Sequence, residues 1–237
     1  MIYLFAAIAA AVGFAGGHGL RRRSFFWSGG LLIGGLAALA YAGASAGSGT
    51  AFKVYYALGA SMLPGWIGVG SLEAAFGRRL ARWIGVFVIA LSAVQLGLTL
   101  PAGVNAAAPA GLQGSNGEGV LVPGGWVAPT VLFNTLGLGF AAVAAFFAWW
   151  RAFRVMHPAT AAMAIGLSLV VLGILCRSAA VYRLMADAGA GSAFMLADAV
   201  AFGLIWAGAG LTRGLPAGFE RMLMGGRALE ESGVPSP

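Results

Sequence analysis

The sequence predicts an all-α fold: a polytopic transmembrane bundle of seven helices, N-terminus outside and C-terminus cytoplasmic. Three observations carry this. The 237 residues are 60% hydrophobic and 9% charged with a mean hydropathy of +0.89, where soluble domains average about 25% charged. Seven apolar stretches each approach the roughly 17–25 residues that cross a hydrocarbon core as a helix. Finally, the basic residues fall in alternate connections. The net charge of +7 therefore points to an anionic membrane face and away from nucleic acid. Helix is preferred to strand because these runs are too long for barrel strands and lipid demands internally satisfied backbone groups.

The first span, near Met1–Gly17, is followed by Arg21, Arg22 and Arg23. A signal peptide carries its positive charge before the apolar run, so this segment reads as a retained helix. The second, Phe25–Ala44, contains Gly30-xxx-Gly34, a small-residue step that permits close helix approach. The third, Phe52–Phe76, has Lys53 and Tyr56 in its first turns and Pro64-Gly65 near its middle. Proline removes a backbone donor there, and neighbouring groups must satisfy the freed carbonyl. Such a break marks either a kink in a packed bundle or a binding site. The fourth span, Trp83–Leu100, holds Gln95.

A long connection, Pro101–Pro129, has no Lys or Arg and many Gly, Pro and Ala residues. It reads as a flexible outer cap or as a lid over an outer pocket. The fifth span, Thr130–Trp150, begins near Asn134. His157-Pro158 marks the start of the sixth, Ala159–Tyr182, with Pro at the first helical position. Arg177 lies near its outer end. The seventh, Ala193–Leu211, carries Asp198 and Gly203-xxx-Ala207. Residues 1–213 thus form the membrane domain. Residues 214–237 form a cytoplasmic tail in which Phe219, Met222, Leu223 and Leu229, interleaved with Arg221 and Arg227, predict a short interfacial amphipathic helix.

Orientation follows from the basic residues. Eleven of the fourteen fall in one set of connections and the tail, leaving Lys53, Arg177 and Arg183 in the other. The positive-inside rule puts the eleven in the cytoplasm. Trp27, Trp83, Trp149 and Trp150 fall at that end, and all five tyrosines (Tyr3, Tyr41, Tyr55, Tyr56 and Tyr182) at the other, as two interfacial belts. An internal echo pairs Thr50-Ala-Phe and Trp66-Ile-Gly-Val-Gly with Ser192-Ala-Phe and Trp206-Ala-Gly-Ala-Gly. It suggests spans 1–3 and 5–7 as parallel repeats linked by span 4, beside chance similarity in an Ala- and Gly-rich chain.

Buried polarity is one-sided. Lys53, Tyr56, Gln95, Asn134, Arg177 and Asp198 all map to the outer half, and form the candidate ligand-binding cluster. Asp198 and Arg177 are expected in the outer third of consecutive antiparallel helices, as a structural ion pair or as the lining of a vestibule. Toward the cytoplasm, Glu73 is within reach of Arg78 or Arg79.

Catalytic and cofactor readings are weak. Cys176 is the only cysteine and reads as buried and inert. His18 and His157 flank spans beside arginines, unlike the histidines of intramembrane haem sites. No lysine lies mid-way in the last span for a retinal Schiff base, and two rim histidines cannot build a metallohydrolase site. No catalytic residue, metal or cofactor is expected. The sequence leaves a non-catalytic bundle, an accessory subunit or sensor with an outward-facing polar pocket, against a small-solute transporter. The partners expected are the bilayer and a membrane or cytoplasmic protein, in the cytoplasmic membrane of a bacterium or archaeon.

Overall fold

The computed structural model describes residues 1–105, 120–178 and 194–212. They form an all-α bundle: α1 (Ile2–Leu20), α2 (Phe25–Ser45), α3 (Gly49–Tyr55), a π segment (Tyr56–Met62), α4 (Leu63–Phe76), α5 (Arg78–Thr99), α6 (Val127–Val155), α7 (Pro158–Cys176) and α8 (Phe194–Leu211). Six of these, α1, α2, α5, α6, α7 and α8, are long and apolar enough to cross a membrane. The third predicted span is the one divided, into α3, the π segment and α4. Its joints stay in the right-handed helical region, at Tyr56 (φ −64°, ψ −48°) and Leu63 (φ −54°, ψ −48°).

The starts and stops follow local chemistry. The Ser24 and Ser48 hydroxyls accept from Trp27 N and Ala51 N at the starts of α2 and α3, supplying partners to otherwise orphaned N–H groups. At α7, His157 Nδ1 accepts from Ala159 N with Pro158 inside the first turn. Between α4 and α5 the chain reverses at Gly77 with φ +89°, a conformation that favours glycine. The sixth predicted span needs correction: α7 stops at Cys176, with Arg177 as its C-cap. The seventh span's predicted start at Ala193, Tyr182 and Arg183, and the tail with its amphipathic helix lie outside the described residues.

The helices pack inside-out relative to a soluble protein. On α5 the buried stripe is Ala81, Gly85, Val88, Ser92, Gln95 and Thr99, small and polar residues alternating by four and three. The opposite face presents Trp83, Val86, Phe87, Ile89, Val94 and Leu98. α6 likewise buries Gly137, Ala141, Ala144, Ala145, Ala148 and Ala152, while Phe146 and Phe153 stay 63% and 70% exposed. Apolar residues outward and small residues inward is the arrangement of helices solvated by lipid. Small residues let backbones touch: a Cβ on Gly13 would sit 2.8 Å from Gly35 N, and one on Gly68 would sit 2.6 Å from Gly137 O.

Two sequence expectations change here. Tyr41 and Tyr55 are 1% exposed and pack edge-on at 5.0 Å, with Phe194 5.2 Å from Tyr41. They form a core cluster at the end away from the arginines, not a belt, because their helix faces point into the bundle. Trp27 is also buried, against Gly70, while Trp83, Trp149 and Trp150 are exposed. The long connection is anchored at both described ends: Asn105 N donates to Val120 O and Val122 N to Gly103 O, with Val120 and Leu121 buried.

Candidate functional site

The π segment organises the half of the bundle away from the arginine-rich end. Leu63 N donates to Leu58 O, five residues back, and Pro64, with no N–H, follows. A donor at position 64 would serve Gly59 in a π turn or Ala60 in an α turn. Neither carbonyl can be served by proline. Both are held by side chains from other helices: Asn134 Nδ2 donates to Ala60 O at 3.0 Å and to Thr130 O at 2.9 Å, and Arg177 Nη2 donates to Gly59 O at 3.3 Å. The sequence predicted that a freed carbonyl needs a partner, and these are the partners.

Arg177 also meets Asp198. Nη1 lies 3.3 Å from Asp198 Oδ2, with both side chains buried, and the guanidinium lies 4.9 Å from the Phe202 ring centroid. Phe202 is one turn beyond Asp198 on α8, so a single helix face supplies carboxylate and ring. A guanidinium that is desolvated needs such compensation. The pair joins the end of α7 to α8, and the Gly59 bond ties both to the π segment.

Beside this network lies a cleft of about 360 Å³. Its walls are Tyr55, Tyr56, Gly59, Ala60 and Pro64; Thr130, Asn134 and Leu138 from α6; and Ile174, Leu175, Arg177 and Ser178 at the end of α7. Of the six sequence candidates, Tyr56, Asn134 and Arg177 line it. The other three stand elsewhere. Asp198 lies behind Arg177. Lys53 Nζ donates to Leu100 O at 3.0 Å, closing the C-terminus of α5. Gln95 is fully buried between α5 and α6, where its Nε2 donates to Thr99 Oγ1 at 2.8 Å and Thr130 Oγ1 at 3.0 Å. Through Thr130, Gln95 reaches the cleft wall indirectly.

Toward the arginine-rich end the cleft is closed. Gly65 accepts the Phe133 ring and Gly137 lies directly on the Pro64 carbonyl group, so α4 and α6 touch backbone to backbone. Sequence reasoning missed Thr130, Ser178 and the Gly59 and Ala60 carbonyls. Backbone carbonyls carry no residue-type signal; Pro64 was the only pointer to them. Among the described residues no three His, Cys, Asp or Glu side chains come together as a metal site. No protein-family model matches this chain, and neither does any curated protein or solved structure.

Proposed function

We propose that this membrane protein is a non-catalytic seven-crossing bundle, a sensor or accessory subunit, that binds a small polar solute in the outward-facing cleft. The observation that carries the reading is the pair of side chains, Asn134 and Arg177, that both line the cleft and hold the two carbonyls of an irregular helix turn. A solute that drew either side chain to itself would release a carbonyl and bias the π segment toward another register. π segments are frequent at functional sites, and a helix with two registers is the bistable element that signalling requires. Asp198 neutralises Arg177, so the cleft suits an uncharged or zwitterionic solute. In this reading Gly49–Phe76 supplies the seventh crossing, which puts the arginine-rich end in the cytoplasm.

The alternative, a small-solute transporter, draws support from the irregular helix and from the order in which the helices pack. It is opposed by the backbone contact between Gly137 and Pro64, beyond which the buried polar side chains of α4 and α5 are serines bonded within the bundle (Ser71 to Ile67 O, Ser92 to Val88 O). The experiment is a thermal-shift screen of amino acids, polyols and monosaccharides on protein in nanodiscs. A solute should raise the melting temperature of the native chain and leave Asn134→Leu unmoved, with no accumulation in proteoliposomes. Accumulation would establish the transporter instead, and stabilisation that survives Asn134→Leu would remove the cleft as the site.

A further inference from the structure

The opposite end of the molecule carries a second site. The α1–α2 turn and the first turns of α5 enclose a cleft of about 380 Å³ lined by Arg21, Arg22, Arg23, Arg78 and Arg82. Its one carboxylate, Glu73, is already engaged. Ser24 Oγ donates to Glu73 Oε2 at 2.6 Å and Arg78 Nε lies 3.4 Å from Glu73 Oε1. Arg21, Arg22 and Arg82 have no carboxylate partner among the described residues. Five arginines lining a cleft whose one carboxylate is occupied make it strongly electropositive, and guanidinium forks match phosphate oxygens.

The remaining wall is apolar and faces lipid. Phe25, Val86 and Ile89 line the cleft and are 63%, 59% and 43% exposed on the outer surface of α2 and α5. Phe26 forms its back, wedged against Gly85. An arginine rim that runs continuously into a lipid-facing wall has the amphipathic profile of one ligand class. We infer that this cleft holds an anionic phospholipid, its phosphate among Arg21, Arg22 and Arg82 and its acyl chains along Phe25, Val86 and Ile89. Basic recesses between helices at the inner membrane face bind anionic head groups by this chemistry. The inference stands apart from the outer cleft, with which it shares no residue.

The test uses the full chain in detergent, with native mass spectrometry and thermal unfolding against phosphatidylglycerol, phosphatidylcholine and free glycerol phosphate. Phosphatidylglycerol should be retained and should stabilise the protein, and phosphatidylcholine should do neither. Arg22→Gln with Arg82→Gln should weaken retention on the order of tenfold, whereas Arg151→Gln with Arg154→Gln, an equal loss of charge at the same end, should leave it unchanged. Arg78 is kept because its pair with Glu73 holds the turn. Arg22→Lys with Arg82→Lys keeps the charge and loses the forks, so its binding should fall between native and the glutamine pair, in a chain that is expected to fold normally. Equal loss in the Arg151/Arg154 control, equal binding of phosphatidylcholine, or equal stabilisation by glycerol phosphate would each overturn the proposal. The last of these would assign the cleft to a soluble phosphate.

Discussion

Arg177 serves three acceptors at once: the Asp198 carboxylate, the Gly59 carbonyl and the face of Phe202. Removing one partner of a buried pair costs about 3–5 kcal/mol, because the survivor is left charged in an apolar site. Asp198→Asn should therefore lower the melting temperature in detergent clearly. Arg177→Met with Asp198→Leu removes both charges and should recover part of the loss. Recovery should stop short of native, because Gly59 O then loses its donor, at a cost of about 1–3 kcal/mol. Full recovery would show that the carbonyl bond contributes nothing; unchanged stability in both variants would eliminate the pair as a source of stability. Arg177 and Asp198 were legible in the sequence because charges are rare in these spans and their depths matched. The role of Lys53 was not: its acceptor, Leu100 O, lies 47 residues away and is supplied only by the packing of α3 near α5. Gln95 was legible as buried polarity, but its partners Thr99 and Thr130 were not.

At the scale of the element, the apolar spans and the position of Pro64 were read from residue types, whereas the Ser24 and Ser48 caps were not. The π segment could not be, since register is decided by which donors reach which carbonyls once α4 lies against α6. Its dependence on Pro64 can be measured by a double-mutant cycle. Asn134→Leu should cost about 1 kcal/mol in the native chain by removing the side-chain donor to the half-buried Ala60 carbonyl. With Pro64→Ala the backbone regains an N–H that can take Ala60 O, and the same Asn134→Leu change should cost less than half as much. Equal costs in the two backgrounds would mean that Asn134 acts through Thr130 O alone and that proline does not set the irregular turn. Thermal unfolding of the four proteins reads the coupling.

At the scale of the whole molecule, α1 packs on α2 and α8, α2 on α3 and α4, α4 on α6, α6 on α7, and α7 on α8, so six spans close a ring with α5 outside against α4. Two three-helix units joined by a linking helix would give this order. The echoed tryptophans do not keep equivalent neighbours, however: Trp66 lies against Gly29 and Gly30 of α2, within its own unit, while Trp206 lies against Gly16 and Gly19 of the adjacent α1, in the other unit. A parallel repeat would give this packing order, and the side-chain contacts do not extend it. Orientation rests on a different argument, the clustering of Arg21–Arg23, Arg78 and Arg82 around one end with Lys53, Arg177 and Asp198 near the other. Counting of Lys and Arg decides topology because positively charged connections resist translocation. In a Cys176→Ala background, Val122→Cys, which is exposed at the end away from the arginines, should react with a membrane-impermeant maleimide on intact cells. Arg79→Cys, exposed in the first turn of α5, should react only after permeabilisation. The reverse pattern would invert the molecule, turning the polar cleft on Asn134 and Arg177 toward the cytoplasm and the arginine cleft outward.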